Sequence, residues 1–256
     1  MQKYRTKKRF GQHFLNDHFV IQKIINEISP SAPNCMVEIG PGLGALTFPL
    51  LEKLDSLHVI EIDHDVIARL KQKKNAKLII HNEDALNYDF NQLAGEQILR
   101  VVGNLPYNIS TPLIFHLLES TNKIQDMHFM LQNEVVQRIT AKPDSKAYGR
   151  LSVMVQYHCQ TEYLFFVGPE SFDPPPKVDS AIIRLTPWKN YPLKANNEKN
   201  LSFIVAKAFS MRRKTLRNNL KKFVSVEQIE SLGIDPSLRA ETLEVSDFVQ
   251  LSNLLS

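Results

Sequence analysis

Short β-rich runs alternate with longer helical runs through the first half of this chain, and no other feature restricts its fold as strongly. Such alternation predicts βαβ units and a mostly parallel sheet. Before it, Asp17 is a suitable N-cap for a helix that Ser29-Pro30 ends. The predicted strands and helices that follow are Met36–Ile39, Leu43–Leu54, Leu57–Ile62, Asp65–Lys73, Lys77–His81, Ile98–Gly103, Pro112–Ser120, Met127–Leu131 and Glu134–Thr140.

The second half predicts two edge strands followed only by helices. Glu162–Val167 and Ser180–Leu185 are close enough in sequence to form an antiparallel pair at one edge of the sheet. A turn near Pro187 and a polar run up to residue 200 then mark a boundary, so we predict a basic arm at 1–16, an α/β domain at 17–190 and a helical domain at 191–256. The helical signals are Leu201–Phe223 in one or two pieces, a capping box at Ser225 with Gln228, a stop at Gly233 and a last helix after Ser246.

A glycine-rich loop, Gly40-Pro41-Gly42-Leu43-Gly44, joins the first strand of the alternation to its helix. Glycine allows a tight turn there and lets a ligand approach the backbone closely. Glu61 ends the next strand, 21 residues after Gly40, where a carboxylate accepts hydrogen bonds from ribose hydroxyls. Together, the loop and Glu61 predict a site for a nucleoside cofactor.

The loop by itself leaves the kind of cofactor open. Gly40-x-Gly42-x-x-Ala45 also satisfies the dinucleotide fingerprint, so a dehydrogenase competes with a methyltransferase, and a purely structural turn is a third interpretation. Glu38 favours a cationic cofactor such as a sulfonium, because a carboxylate would repel a pyrophosphate. Asp84 is placed to hydrogen-bond an adenine amine, although it serves equally well as a helix cap.

The tetrad Asn104-Leu105-Pro106-Tyr107 follows a predicted strand, which places it beside the glycine loop at the carboxyl ends of the strands. An adenine amine is a poor nucleophile because its lone pair is delocalised into the ring. The Asn104 side-chain oxygen and the Leu105 or Pro106 carbonyl can accept hydrogen bonds from the N–H groups of this amine. These hydrogen bonds favour a more tetrahedral nitrogen in the transition state. Tyr107 would stack on the base. The alternative interpretation is an Asn-Pro turn with a packed tyrosine.

A base that reacts in this way leaves its stack, so a second aromatic face is needed to hold it. Phe172 is our candidate, because the proline run at 174–176 would fix the direction of its ring while Lys177 meets a phosphate. Packing of Phe172 in the core is the competing interpretation.

Basic residues are concentrated in two short segments without Asp or Glu, which together hold 12 of the 31 Lys and Arg residues. Two positive surfaces on an otherwise acidic chain suit a polyanion such as RNA, whereas a solvated tail and a solvated helix face are the plainer interpretation. Lys207, Lys214 and Lys221 recur at seven-residue spacing, which predicts one basic helix face opposite apolar residues such as Met211. The candidate RNA-binding residues are Lys7, Lys8, Arg9, Lys207, Arg212, Arg213, Lys214, Arg217 and Lys221.

Composition argues against several other classes of protein. Hydrophobic residues make up 43% of the 256 residues, enough for a substantial core, and no apolar run approaches the ~18 residues of a membrane span. Cys35 and Cys159 lack paired spacing and the 8 His residues lack ligand spacing, so we expect neither disulfide bonds nor a metal site. These features favour a soluble, cytoplasmic protein with no membrane partner.

In their order along the chain, these motifs resemble those of the ribosomal RNA adenine dimethyltransferases, specifically the small-subunit, kasugamycin-sensitivity type. The resemblance covers nearly the whole length. One position departs from it, because many members have Asn where this chain has the titratable His13. The resembling pieces are Arg9-Phe10-Gly11-Gln12-His13-Phe14-Leu15, the Glu38–Gly44 loop, Glu61 within Val59–Asp63, Asp84, Asn104–Tyr107, Phe172–Ser180, and Phe209–Leu220 with its Met211–Leu216 core.

This resemblance implies a Rossmann-like α/β fold, with the seven-stranded sheet of class I methyltransferases and a small all-α C-terminal domain. The implied substrate is two adjacent adenosines in the 3′-terminal hairpin of small-subunit (16S) rRNA, in an immature small ribosomal subunit. Each adenosine would receive two methyl groups on N6 during ribosome biogenesis. The implied cofactor is S-adenosyl-L-methionine, with contacts from His13, Leu15, Gly40, Glu61, Asp84 and Asn104.

Three other functions compete with this one. An erythromycin-resistance-type methylase performs the same chemistry on one adenosine of large-subunit rRNA, but the helical tail with Met211–Leu216 favours the small-subunit type. A non-catalytic assembly factor would keep only the fold and the basic surfaces. An NAD-dependent oxidoreductase would leave Asn104–Tyr107 without a role.

Overall fold

The computed structural model of the chain describes residues 13–255, which form two compact units. The first unit contains residues 13–136 and Glu162–Pro187, and the second contains Gln137–Thr161 and residues 188–255. The boundary after Pro187 lies close to the predicted one at 190. Residues 137–161, however, group with the C-terminal helices, whereas the sequence prediction placed them in the α/β domain.

A seven-stranded sheet forms the first unit. The strands of the described residues are β1 (Phe14–Leu15), β2 (Cys35–Ile39), β3 (Leu57–Ile60), β4 (Leu78–His81), β5 (Leu99–Asn104), β6 (Ile124–Gln132), β7 (Cys159–Val167), β8 (Phe172–Asp173) and β9 (Ser180–Pro187). Their order in the large sheet is β4-β3-β2-β5-β6-β9-β7, and β1 pairs separately with β8. Strands β2 to β6 are parallel, whereas β9 runs antiparallel to β6. The predicted α/β fold class is therefore confirmed, with β9 and β7 side by side at one edge.

The strand order reverses between β2 and β5, because β3 and β4 extend the sheet on one side and β6 extends it on the other. In open α/β sheets, ligands bind in the crevice outside the carboxyl ends of the strands at such a reversal. The glycine loop follows β2 and the tetrad begins at the end of β5. The topology therefore brings the two motifs together.

The helices of the first unit begin close to their predicted positions, except that the second helix starts later than predicted and the short helix Phe90–Ala94 was not predicted. Asp17 caps the first helix as predicted, and its carboxylate accepts hydrogen bonds from the amides of Phe19 and Val20 at 2.9 and 3.2 Å. The second helix is shorter than predicted because Gly42 and Gly44 have φ angles of +53° and +91°, which a right-handed helix excludes. The helices are α1 (His18–Ile28), α2 (Thr47–Leu51), α3 (His64–Gln72), α4 (Phe90–Ala94), α5 (Ser110–Leu118) and α6 (Asn133–Ile139), the last of which continues into the second unit.

A buried ion pair joins β5 and β6. The Nε of Arg100 donates to both carboxylate oxygens of Asp126, at 2.9 and 3.1 Å. The two terminal nitrogens of the same guanidinium donate to the carbonyls of Ile28 and Ser29 at the end of α1, and to the Asn34 side chain. Because a cation favours a helix C-terminus, this network fixes α1 against the strand that leads into the tetrad.

Helices dominate the second unit, namely α7 (Arg150–His158), α8 (Glu198–Ala208), α9 (Leu216–Leu220), α10 (Val226–Ser231) and α11 (Val245–Asn253). Helix α7 packs against α8 and α11. Sequence patterns did not indicate α7, because it is buried on most of its circumference and has no amphipathic stripe. The capping box predicted at Ser225 and Gln228 is confirmed at the start of α10. No helix among residues 13–255 is long and apolar enough to cross a membrane.

The predicted basic helix face at seven-residue spacing is wrong. Lys207 lies in the last turn of α8, Lys214 precedes α9, and Lys221 follows α9, so the three do not lie on one helix. The helix ends at Ala208, and the Asn219 side chain donates to the Ala208 carbonyl at 2.7 Å, which satisfies one of the carbonyls left free at the end of α8. Met211, predicted for the apolar side, lies between α8 and α9 and is 61% exposed.

Candidate active site

A cavity of about 290 Å³ lies at the carboxyl ends of β2 and β5. Its walls come from the glycine loop, the end of β3, the segment after β4 and the start of the tetrad loop. The lining includes every residue that the resemblance assigned to the cofactor, namely His13, Leu15, Gly40, Glu61, Asp84 and Asn104. Leu105, Pro106 and Tyr107 line the same cavity, so one space adjoins both the candidate cofactor residues and the candidate catalytic ones.

The glycine loop takes a conformation that side chains oppose. Gly40 has a φ of +66°, and its amide donates to the Ile60 carbonyl at 3.0 Å, which ties the loop to β3. Gly42 has a φ of +53°, and a Cβ there would lie 3.0 Å from the Phe14 ring. The loop therefore presents bare backbone to the cavity, which is the surface that a nucleoside cofactor requires.

Glu61 is held in place by backbone amides. Its Oε1 accepts from the amides of Ile62 and Asp63 at 2.9 and 2.8 Å. Burial raises the pKa of this carboxyl, while the amide hydrogen bonds lower it. A carboxylate has about four acceptor positions, so Glu61 can still accept hydrogen bonds from ribose hydroxyls.

Glu38 is a second carboxyl in the cavity wall, and only 2% of it is exposed. Burial raises its pKa to about 7, with a smaller contribution from the charge of Glu61, against a hydrogen bond from Thr47. A cationic ligand beside Glu38 would favour its ionised form, consistent with the sequence-based expectation of a sulfonium.

Asp84 caps a turn rather than the helix that one sequence interpretation gave it. Its Oδ1 accepts from the Leu86 amide at 3.0 Å, which stabilises the turn after β4. The same residue lines the cavity and is only partly buried, so it can also meet an adenine amine.

The side chain of Asn104 is oriented by the N-terminal segment. Its Nδ2 donates to the His13 carbonyl at 3.1 Å, so the amide oxygen is left to accept a hydrogen bond from a ligand. The Pro106 carbonyl already accepts from the amides of Ile109 and Ser110, both at 3.1 Å. Of the two carbonyls that the sequence left open, Leu105 is therefore the better candidate acceptor.

Tyr107 is held on two sides. Its hydroxyl shares a 2.8 Å hydrogen bond with the Ser180 hydroxyl, and its ring stacks near His13 with centroids 6.1 Å apart. Burial raises the pKa of Tyr107. The Nδ1 of His13 in turn donates to the Pro174 carbonyl at 2.8 Å, because a carbonyl can only accept. His13 thus contributes both its backbone and its ring to the site, a role that its sequence position did not reveal.

The structure contradicts the prediction that Phe172 stacks on the substrate base. Phe172 is 4% exposed and belongs to the hydrophobic core of the first unit. Its strand β8 pairs with β1, which places Phe172 opposite Leu15. The competing interpretation of core packing is therefore the correct one for this conformation, because a ring enclosed by apolar side chains offers no face to a base.

The candidate RNA-binding residues differ in their surroundings. Lys7, Lys8 and Arg9 lie outside the described residues. Arg212 pairs with Glu241 at 2.9 Å and donates to the Lys146 carbonyl, so part of its charge is already used within the second unit.

Lys207 lies over the rings of Phe203 and Phe223. Sequence analysis missed this aromatic pair because the two residues are far apart in the chain. Other candidate cations are exposed, namely Arg213, Lys214, Arg217 and Lys221.

Within residues 13–255, no group of three or more His, Cys, Asp or Glu side chains is arranged to hold a metal ion. The expectation that the protein needs no metal remains a prediction.

The reversed strand order, the cavity and the glycine loop define a class I methyltransferase fold. The chain belongs to the ribosomal RNA adenine dimethylase family, whose model matches residues 3–256. Two relatives named ribosomal RNA small subunit methyltransferase A are similar over nearly their whole length. The one from Hydrogenovibrio crunogenus is 56% identical over 260 residues, covering 99% of this chain and 98% of the relative. The one from Coxiella burnetii is 54% identical over 258 residues, covering all of both chains.

Two solved structures share this fold. A dimethyladenosine transferase from Plasmodium falciparum superposes with a TM-score of 0.82 at 27% identity, covering 93% of this chain and 96% of that one. The 23S rRNA methyltransferase ErmE superposes with a TM-score of 0.74 at 23% identity, covering 94% and 99%. At that identity the likeness to ErmE shows the fold alone.

Proposed function

We propose that this chain dimethylates the N6 amines of two adjacent adenosines in the 3′-terminal hairpin of small-subunit rRNA, with S-adenosylmethionine as methyl donor. One observation carries the proposal: the candidate cofactor residues and the tetrad line a single cavity at the strand-order reversal. The names of the close relatives support a small-subunit substrate. We further propose an immature small subunit as the form that is met, in the cytoplasm, as part of ribosome biogenesis.

The family and the fold imply a cofactor of the S-adenosylmethionine type, and the residues of the cavity fit it. Glu61 offers acceptors to ribose hydroxyls, and Asp84 offers a carboxylate to an adenine amine. The buried carboxyl of Glu38 suits a positively charged group, whereas it would oppose a pyrophosphate. The cavity is thus better matched to a sulfonium nucleoside than to a dinucleotide, and detectable NADH binding would contradict the proposal.

The bound cofactor supplies a methyl group that already carries its leaving group, so this chain's residues mainly align the reactants. The Asn104 side-chain oxygen and the Leu105 carbonyl accept hydrogen bonds from the two N–H groups of the adenine amine. These hydrogen bonds favour the tetrahedral form of the nitrogen. The Tyr107 ring, fixed by Ser180 and His13, stacks on the base. The nitrogen loses its proton to water after transfer, so no ionised base is required.

The substrate is tested by offering labelled cofactor with either undermethylated small subunits or naked large-subunit rRNA. We expect label on adenosines of the small subunit, because the close relatives carry the small-subunit name. Digestion to nucleosides should yield N6,N6-dimethyladenosine. Labelling of large-subunit rRNA alone would instead support the erythromycin-resistance-type function.

Replacing Arg213, Lys214 and Lys221 together by glutamine should weaken RNA binding and flatten its dependence on salt. All three are exposed cations of the second unit. RNA binding releases fewer counterions for each phosphate contact that the variant has lost, so the affinity depends less on salt. We expect the slope of log affinity against log salt to change by about two to three units. The measurement is filter binding or fluorescence anisotropy of small-subunit rRNA over a salt series.

A triple glutamine variant of Lys53, Lys71 and Lys73 serves as the matched control, because it removes the same charge from the first unit outside the two basic segments. The control should bind with almost the original slope. Equal changes in the two variants would assign the effect to net charge and leave residues 213–221 as ordinary solvated surface.

A further inference from the structure

Thr47 and Glu38 form a buried pair at the edge of the candidate active site. Thr47 is the first residue of α2, three residues after Gly44 of the glycine loop, and it is completely buried. Its hydroxyl donates to the Oε2 of Glu38 at 2.6 Å, the short distance typical of a hydrogen bond to a carboxylate. Glu38 lies at the end of β2 and lines the cavity. A hydroxyl that the tetrad chemistry does not use therefore contacts a carboxyl that faces the ligand space.

This pair has an electrostatic consequence. A buried carboxyl without a partner is protonated rather than ionised, because desolvation opposes the charge. Burial and the nearby charge of Glu61 raise the pKa of Glu38 to about 7, and the Thr47 hydrogen bond is the opposing contribution. The charge of Glu38 near neutral pH therefore depends on the Thr47 hydroxyl.

We propose that Thr47 is a positioning residue that holds the Glu38 side chain and favours its ionised form, so that Glu38 pairs with a cationic group of the cofactor. The inference rests on the proposed function for the identity of the cofactor. S-adenosylmethionine carries a sulfonium and an ammonium group, whereas its thioether product keeps only the ammonium group. Either cation would be stabilised by the buried carboxylate of Glu38.

Other ionisable groups line the same cavity as Glu38, so a test must distinguish the effect of its charge on cofactor affinity from theirs. The strands on either side of β2 contribute apolar partners at this level, because Glu38 is in register with Val59 of β3 and Val102 of β5. The other ionisable side chains that line the cavity are His13, Glu61, Glu83, Asp84 and Tyr107. A variant that removes only the charge of Glu38 distinguishes its titration from theirs.

The direction of the pH effect follows from linkage. A cation binds the ionised form of Glu38 more tightly. Cofactor affinity relative to Glu38→Gln, a ratio in which the titration of the ligand's own amino group cancels, should therefore rise as pH increases through the pKa of Glu38 in the ligand-free protein and then level off. Removing the Thr47 hydroxyl raises that pKa and moves the rise to higher pH. Thr47→Val removes the hydroxyl at nearly constant volume, whereas Thr47→Ser keeps it.

The experiment is isothermal titration of S-adenosylmethionine, and separately of its thioether product, into the full-length protein between about pH 6 and about pH 8.5, a range that brackets the pKa of Glu38. We expect Thr47→Val to bind the cofactor about tenfold more weakly at neutral pH and to recover most of that loss at the alkaline end. Thr47→Ser should keep the original profile. Glu38→Gln should bind weakly with a flattened profile.

The two ligands identify the cation. If Thr47→Val shifts the pH dependence of affinity equally for both ligands, Glu38 pairs with the ammonium group. If it shifts the pH dependence for S-adenosylmethionine alone, Glu38 pairs with the sulfonium. Both results support the positioning role. A Thr47→Val variant that loses affinity equally at every pH, or not at all, overturns it, since a packing defect would not recover with pH. Circular dichroism checks that the variants are folded. Failure of the unchanged protein to bind the cofactor would contradict the proposed function itself, whereas normal binding with no pH shift contradicts only this inference.

Discussion

Asn104→Ala is expected to reduce the rate of methyl transfer by about 10²- to 10³-fold while RNA binding remains intact. The side-chain oxygen of Asn104 is the acceptor that favours the tetrahedral nitrogen in the transition state. Because the His13 carbonyl already fixes the Nδ2 end, the oxygen is oriented before the substrate arrives. Removing such a group should lower kcat more than it raises KM.

Single-turnover labelling of undermethylated small subunits measures the transfer step, and anisotropy measures RNA affinity separately. Asn122→Ala is the control, because Asn122 is exposed in a turn away from the cavity. Asn104→Asp keeps an oxygen but loses the donor to His13, so we expect a smaller loss than with alanine. If the purified Asn104→Ala variant methylated at full rate, the tetrad would be structural. If neither protein methylated and Asn104→Ala cells still assembled small subunits normally, a non-catalytic assembly role would be favoured.

Gly103→Ala should lower methyl transfer by about 10²-fold and also destabilise the first unit. A Cβ on Gly103 would lie 2.6 Å from the Ile39 carbonyl oxygen, where β2 ends and the glycine loop begins. Backbone atoms cannot move aside as a flexible side chain does, so β5 and β2 must separate at their carboxyl ends. Asn104 is the next residue and would move with β5, away from the cofactor residues. We expect a loss of about 1–3 kcal/mol in the free energy of unfolding, as for other overpacked sites.

Urea denaturation and single-turnover labelling measure the two effects. Gly149→Ala is the matched control, because a Cβ there would meet no atom within 4 Å and the residue has an extended backbone. The control should unfold at nearly the original urea concentration and keep its activity. Normal cofactor affinity and full activity in Gly103→Ala would show that the two strand ends tolerate separation, and that the close approach is not needed to place Asn104.

Local signals in the sequence were sufficient for much of the fold. The alternation of strand and helix predicted the parallel sheet, and the N-cap at Asp17 and the capping box at Ser225 were both correct. Each of these depends on hydrogen bonds or side-chain periodicity within a few residues, which the local sequence encodes. The predictions failed where distant residues intervene. The predicted basic face needed one helix through Lys207, Lys214 and Lys221, but α8 ends at Ala208, where its carbonyl accepts from Asn219, eleven residues further on.

For the candidate site, the sequence alone determined the residue types and their order: a glycine loop, Glu61, Asp84 and the tetrad at strand ends. Only the tertiary structure decided which groups support them, since the contact between His13 and Asn104 joins residues 91 positions apart. It also placed Phe172 in the core and Thr47 on Glu38. The physical reason is that composition and spacing specify which chemistry is available along a strand or loop. Burial and hydrogen-bond partners depend instead on which other segments pack there, and local sequence does not encode that packing.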